Sequence, residues 1–174
     1  TPLCWRSAYS RPDMRVGIGY DSHRFAEGEG RKLILGGVEI PYPRGLVGHS
    51  DADAVAHALT DAILGAAGLG DIGQMFPPTD PRWRDADSID LLKKANLRVV
   101  EAGFSFVSAD ITVIIEQPRL ARYLDDMREN LAGALVSGYS MVSVKAKTNE
   151  GMGWIGKGEG VAALAVALLE QARV

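Results

Sequence analysis

Between Asp51 and Ala67 two periodic patterns run along one segment, and together they restrict what this chain can fold into. Val55, Ala58, Leu59, Ala62, Ile63 and Ala66 recur at the period of an apolar helical stripe, while Asp53, His57 and Asp61 are spaced by four and stack on a face beside it. One side of such a helix must be core and another must serve chemistry. Ser50 or Asp51 stands where an N-cap is expected, and Gly68 where the helix should stop.

The segments around it read in the order β, ββ, α, α, β, α, β, α. Val16 to Tyr20 has the β-branched and aromatic content of a strand that can extend to His23, and Lys32 to Ile40, broken by Gly36-Gly37, predicts a short hairpin. Gly70 to Asp87 is a polar, proline-bearing connection, long enough to carry binding contacts. A helix is expected from Ser88 to Ala102 with Gly103 as its stop, then a strand from Phe104 to Glu116 ended by Pro118. Leu120 to Val136 returns to helical period, and Met141 to Thr148 alternates as a strand. Glu159 to Ala172, almost without polar residues from Val161 to Leu169, reads as a closing helix buried within the domain or between subunits. This interleaving, without a dinucleotide glycine fingerprint, predicts an α/β (α+β) sandwich: a mixed β-sheet with helices packed on one face.

With 174 residues, 47% of them apolar, the chain can close one core and is short for two. A single domain is expected from Met14 to Val174, and Thr1 to Asp13, which shows no periodicity, reads as a leader or an artificial remnant. A formal charge of -3 with dispersed basic residues argues against a nucleic-acid partner. Cys4 has no internal disulfide partner, and the longest apolar run is about half of the roughly 20 residues a membrane helix needs. Both point to a cytoplasmic protein.

All three histidines lie between residues 23 and 57, beside two acid-rich clusters, Tyr20-Asp21-Ser22-His23 and His49-Ser50-Asp51-Ala52-Asp53 with His57. On a strand, Asp21 and His23 leave the same face. Carboxylate and imidazole suit a zinc-type cation, and a catalytic zinc commonly takes three protein ligands, so Asp21, His23 and one further histidine complete that count. Asp53 or Asp61, one turn from His57, stands where a ligating histidine would find the acid that orients it. His49 precedes the helix start, where free N–H groups favour a bound phosphate. Glu150 opens a glycine-rich loop from Gly151 to Gly158 and is an oxygen ligand for magnesium.

Gly-Tyr-Asp-Ser-His at 19 to 23, His-Ser-Asp-Ala-Asp-Ala-Val-Ala-His-Ala-Leu-Thr-Asp at 49 to 61, Gly-Asp-Ile-Gly at 70 to 73, Phe-Pro-Pro-Thr-Asp at 76 to 80 and Gly-Lys-Gly-Glu-Gly at 156 to 160 occur in that order. From Met14 onward the chain resembles the 2-C-methyl-D-erythritol 2,4-cyclodiphosphate synthases. The resemblance implies a homotrimer with a central β-sheet core and active sites between subunits. It further implies closure of an eight-membered cyclic diphosphate with release of CMP, in the non-mevalonate route to isoprenoid precursors.

Carried over by position, Asp21, His23 and His57 would hold zinc and Glu150 magnesium or manganese. His49 and Thr148 would stabilise the transition state, and Ser50 would touch a substrate phosphate. The same resemblance places Asp61, Asp71, Ile72 and Gly73 against substrate, with Phe76, Pro77, Pro78, Thr79 and Asp80 as the loop over the methylerythritol part. Pro118, Arg119, Leu120 and Ala121 would form a neighbour's cytosine pocket, with Lys147, Asn149, Trp154 and Lys157 nearby. Family members commonly have phenylalanine and arginine where this chain has Trp154 and Lys157, so a bidentate arginine contact is lost there. Two rival readings keep the metal: a nucleotide diphosphate hydrolase using zinc-bound hydroxide, and a trimeric binding module with structural zinc.

Overall fold

The computed structural model describes residues 13–28 and 30–172; all of the Thr1 to Asp13 segment except Asp13 therefore lies outside the described residues. The fold is set by one close approach. Strand β1 (Met14–Arg24) carries Gly17 and Gly19 inward, and helix α1 (Ala54–Ala67) lies directly on them. A Cβ on Gly17 would stand 2.0 Å from the Ala62 carbonyl oxygen, and one on Gly19 1.9 Å from that of Ala58. Only glycine on the strand and small residues on the helix allow this spacing.

β1 is the edge of a four-stranded mixed sheet ordered β1-β6-β4-β5, formed with β4 (Phe104–Ile114), β5 (Val142–Lys147) and β6 (Gly160–Gln171). β6 runs antiparallel to both β1 and β4, and β5 runs parallel to β4. The parallel pair is joined by α4 (Leu124–Ala134), the crossover a parallel connection requires. Helices α1, α3 (Ser88–Glu101) and α4 cover one face, and the hairpin of β2 (Leu33–Leu35) and β3 (Val38–Ile40) closes one end of the core. The expected helices on one face of a mixed sheet are present.

The closing helix expected at Glu159 to Ala172 is instead β6, a central strand. An apolar run without polar interruptions does not reveal its period, and a buried strand and a buried helix read alike. The alternation is present in side-chain size. Ala163, Ala165 and Ala167 face the helices, while Leu164 and Val166 face outward. A second correction concerns the α1 cap, which is Asp53 rather than Ser50 or Asp51. Its carboxylate is fully buried and accepts from the N–H groups of Val55 and Ala56, and also from Gly36 and Gly37 in the β2–β3 turn. It thus ties the hairpin to the helix start. Burial pushes the Asp53 pKa up to about 6, against the pull of those N–H groups.

The expected helix from Leu120 begins as a 3-10 turn at Ala121–Tyr123 and becomes α-helical at Leu124. The long connection from Gly70 holds a single helical turn, α2 (Ile72–Met75), capped by Asp71, and a 3-10 turn at Pro81–Trp83 capped by Asp80. Among the described residues no helix is long and apolar enough to cross a membrane.

Candidate metal centre and substrate cleft

Because β1 alternates, Asp21 and His23 share the face that packs under α1, and His57 descends from the first turns of that helix to meet them. Asp21 Oδ2 lies 2.8 Å from His23 Nε2 and 3.0 Å from His57 Nδ1, and the two imidazole nitrogens are 3.2 Å apart. Ligands about 2.0–2.2 Å from a tetrahedral ion stand roughly 3.3 Å from one another. The donor set and its spacing therefore fit a zinc-type cation, and these are the residues whose ligand atoms cluster.

The second nitrogen of each histidine is occupied. His23 Nδ1 donates to the Val47 carbonyl at 2.7 Å. His57 Nε2 meets Ser50 Oγ at 3.1 Å and Ser88 Oγ at 2.9 Å. These contacts leave His23 Nε2 and His57 Nδ1 as the ligating atoms, and such outer contacts orient metal-binding imidazoles. Burial alone would raise the Asp21 pKa, but the hydrogen bonds and charges of His23 and His57 hold it far below the usual carboxylate range. For His23, burial works downward and is outweighed by Asp21, the Val47 carbonyl and Asp53, so its pKa rises.

The expectation that Asp53 or Asp61 would orient His57 is not met. Asp53 is turned to the hairpin, and Asp61 accepts the Ile72 N–H at 2.8 Å, fixing the start of α2. Burial pushes the Asp61 pKa up against that bond. The groups beside His57 are Ser50 and Ser88, and Ser88 was legible only as a helix start.

A cleft of about 250 Å³ opens on the triad, lined by His23, His49, Ser50, His57, Ile72, Gly73, Phe76, Pro78, Trp83 and Leu91. His49 Nε2 is enclosed yet has no hydrogen-bond partner among the described groups. Phe76 and Trp83 meet edge to face with centroids 5.0 Å apart and form an apolar wall. Trp83 and Leu91 carried no motif in the sequence and were missed.

The other expected site residues lie elsewhere. Pro118, Arg119, Leu120, Ala121, Lys147 and Thr148 line a second cleft of about 160 Å³, which shares no residue with the first. Glu150 is exposed at a φ of 51°, with the Thr148 hydroxyl donating to its Oε1 at 3.0 Å. Asn149 donates its N–H to Glu116 at 3.1 Å. Trp154 and Lys157 are exposed, and Pro77, Thr79 and Asp80 continue the loop beyond Phe76. A single exposed carboxylate fits a magnesium-type cation completed by substrate phosphates.

This mixed α/β fold, with its candidate metal site between strand and helix, has known counterparts. The YgbB family model matches residues 14–170, and the chain belongs to the YgbB family. Its function there is that of the 2-C-methyl-D-erythritol 2,4-cyclodiphosphate synthases. The enzyme of that name from Rubrobacter xylanophilus is 58% identical over 91% of this chain and 96% of its own length. The IspF–CDP complex of Plasmodium falciparum is 32% identical with a TM-score of 0.80, over 94% of this chain and 100% of that one. The bifunctional IspDF of Campylobacter jejuni is 44% identical with a TM-score of 0.88, covering 92% of this chain, which spans 43% of that longer protein.

Proposed function

We propose that the chain converts 4-diphosphocytidyl-2-C-methyl-D-erythritol 2-phosphate to the 2,4-cyclodiphosphate and CMP, acting as a cyclising phosphorus–oxygen lyase in the non-mevalonate route to isoprenoid precursors. An oxygen of the 2-phosphate attacks the β-phosphorus of the diphosphate. The bond from that phosphorus to the bridging oxygen breaks, and its electron pair leaves with CMP. The observation that carries this reading is the convergence of Asp21, His23 and His57 beside a cleft lined also by His49, whose enclosed Nε2 has no hydrogen-bond partner among the described residues.

A phosphate monoester has a second pKa of about 6, so the nucleophile is largely ionised near neutral pH and needs positioning more than deprotonation. Bound zinc at Asp21, His23 and His57, with magnesium or manganese at Glu150, would supply positive charge to orient and neutralise the phosphates. His49 Nε2 and the Thr148 hydroxyl hydrogen-bond phosphate oxygens as charge develops, and Ser50 helps hold the diphosphate. Ile72, Gly73, Phe76 and Pro78 pack against the methylerythritol part, with Pro77, Thr79 and Asp80 shaping the loop and Asp61 and Asp71 fixing its base.

The cytosine end occupies the cleft of Pro118 to Ala121 with Lys147 and Thr148, flanked by Asn149, Trp154 and Lys157, from a neighbouring subunit. The separation of the two clefts within one chain supports this division. So does the outer face of the sheet, where Val16, Ile18, Tyr20, Leu164 and Val166 are between 38% and 69% exposed. That apolar face would bury itself at the centre of a homotrimer. Residues 14–174 act as one domain, and the enzyme works in the cytoplasm.

Phosphorus NMR of the protein with this substrate and magnesium, beside a chelator-treated sample, tests the reading. CMP with a cyclic diphosphate, formed only when metal is present, is expected. CMP with an open-chain diphosphate would replace it with hydrolysis.

A further inference from the structure

Ser88 is 1% exposed at the first position of α3, thirty-one residues from His57 in sequence, and its hydroxyl is 2.9 Å from His57 Nε2. The Asp51 carboxylate accepts both the Ser88 N–H, through Oδ2 at 3.0 Å, and the Ser88 hydroxyl, through Oδ1. From this arrangement we infer that Asp51 and Ser88 form a positioning relay that sets the tautomer of His57 and so prepares its Nδ1 to bind the metal. The inference rests on the reading of Asp21, His23 and His57 as metal ligands and adds two residues to which neither the motifs nor the resemblance gave a part in the metal site.

The argument is one of hydrogen counting. An ionised carboxylate can only accept, so the single hydroxyl proton of Ser88 is committed to Asp51. Ser88 Oγ then has only lone pairs to offer His57, and Nε2 must be the protonated nitrogen. Nδ1 is left with its lone pair directed at Asp21 and His23, the direction in which a cation would lie. His23 reaches the opposite tautomer by donating Nδ1–H to the Val47 carbonyl. Two histidines presenting different ring nitrogens to one point thus each have a fixed outer partner.

Ser50 Oγ, 3.1 Å from the same Nε2, does not impose the same choice. It accepts the Ala52 N–H at 3.2 Å and lies 3.5 Å from Ser88 Oγ, but among the described residues no carboxylate takes its hydroxyl proton, so it can donate or accept. The relay also has a mechanical side. Asp51 N–H donates to the Ala86 carbonyl and Asp85 N–H to that of His49, which moors the loop carrying His49 to the segment entering α3.

Three variants separate this role from simple packing. Ser88→Ala keeps the backbone N–H on Asp51 but removes the acceptor from His57, and the zinc dissociation constant should rise roughly 10- to 100-fold, the usual effect of losing an outer partner. Ser88→Thr restores the hydroxyl and should return the constant to near the parent value. In Asp51→Asn the amide can donate to Ser88 Oγ, freeing the hydroxyl proton for His57 Nε2 and shifting the ring proton to Nδ1.

Zinc affinity by chelator competition, and nitrogen-15 NMR of the histidine-labelled protein stripped of zinc, read these effects without reference to turnover. The parent should show a protonated His57 Nε2, and this signature should be lost or broadened in Ser88→Ala and Asp51→Asn. Unchanged affinity and an unchanged His57 spectrum in both variants would overturn the relay while leaving the metal site intact. Failure of the parent itself to bind zinc would overturn the metal reading, and the relay with it.

Discussion

The cleft under α1 and the segment from Lys147 to Lys157 are assembled by opposite means. In the first, Asp21, His23 and His57 come from two elements locked together by the glycine–alanine contact of β1 with α1, and each imidazole has an outer partner. In the second, Thr148 and Glu150 bond mainly to each other, Asn149 to Glu116, and the side chains of Lys147, Glu150, Trp154 and Lys157 face outward. A site for a cation needs its ligand atoms held within a few ångströms of one another, with each imidazole turned so that a lone pair faces the common point. The difference teaches that the chain by itself brings together a triad able to hold a cation, whereas its second cleft gathers no comparably locked set of polar groups.

The strongest way to break this comparison is at the triad. His57→Ala should remove zinc and activity together, read by metal analysis of the purified protein beside a turnover assay. Full zinc occupancy in that variant would mean the ligand set is wrong. Next comes the contact that holds the triad's two elements in place. In Gly19→Ala the new methyl would sit 1.9 Å from the Ala58 carbonyl oxygen, so β1 and α1 must separate. A loss of about 3 kcal/mol in denaturant unfolding is expected, at the upper end of overpacking effects. A change below about 1 kcal/mol would show that the helix yields more readily than the packing implies.

The sheet's outer face sharpens the other half. Val166→Lys places a charge amid Ile18, Leu164 and their neighbours without touching the core under α1. Light scattering should find the proposed trimer dissociated, and zinc should remain bound while turnover falls. A trimer that survives would move the assembly surface elsewhere. The smallest effect is expected at the exposed loop. Thr148→Ala should lower turnover by about tenfold, roughly 1.4 kcal/mol of transition-state stabilisation, with metal content and stability unchanged. Loss of zinc in that variant would show that the two regions are not independent.

Several of these features were legible in the chain before any coordinates. The strand spacing that puts Asp21 and His23 on one face is a matter of period two, and the stripe from Val55 to Ala66 is a matter of period 3.6. The Gly36-Gly37 hairpin and the Gly68 stop rest on local backbone chemistry and appear where expected. β6 was misread because Ala163 to Leu169 is apolar on both faces, and a binary pattern carries no period when every position is apolar. Asp53 was expected on the chemical face and instead caps its own helix, since the turn glycines brought their N–H groups to it.

The sequence by itself determined the elements whose causes are local: turn glycines, helix stripe, strand alternation, and the types of side chain available to hold a cation. Only the tertiary structure decided which groups complete the site. Ser88 reaches His57 and Val47 reaches His23 across 31 and 24 residues of chain, and Trp83 and Leu91 enter the cleft wall from a connection and a different helix. Hydrogen bonding and packing act over a few ångströms in space and leave no periodic trace along the chain. The partners of a histidine are therefore fixed by how helices settle on a sheet, which here depends on two glycines small enough to let them settle closely.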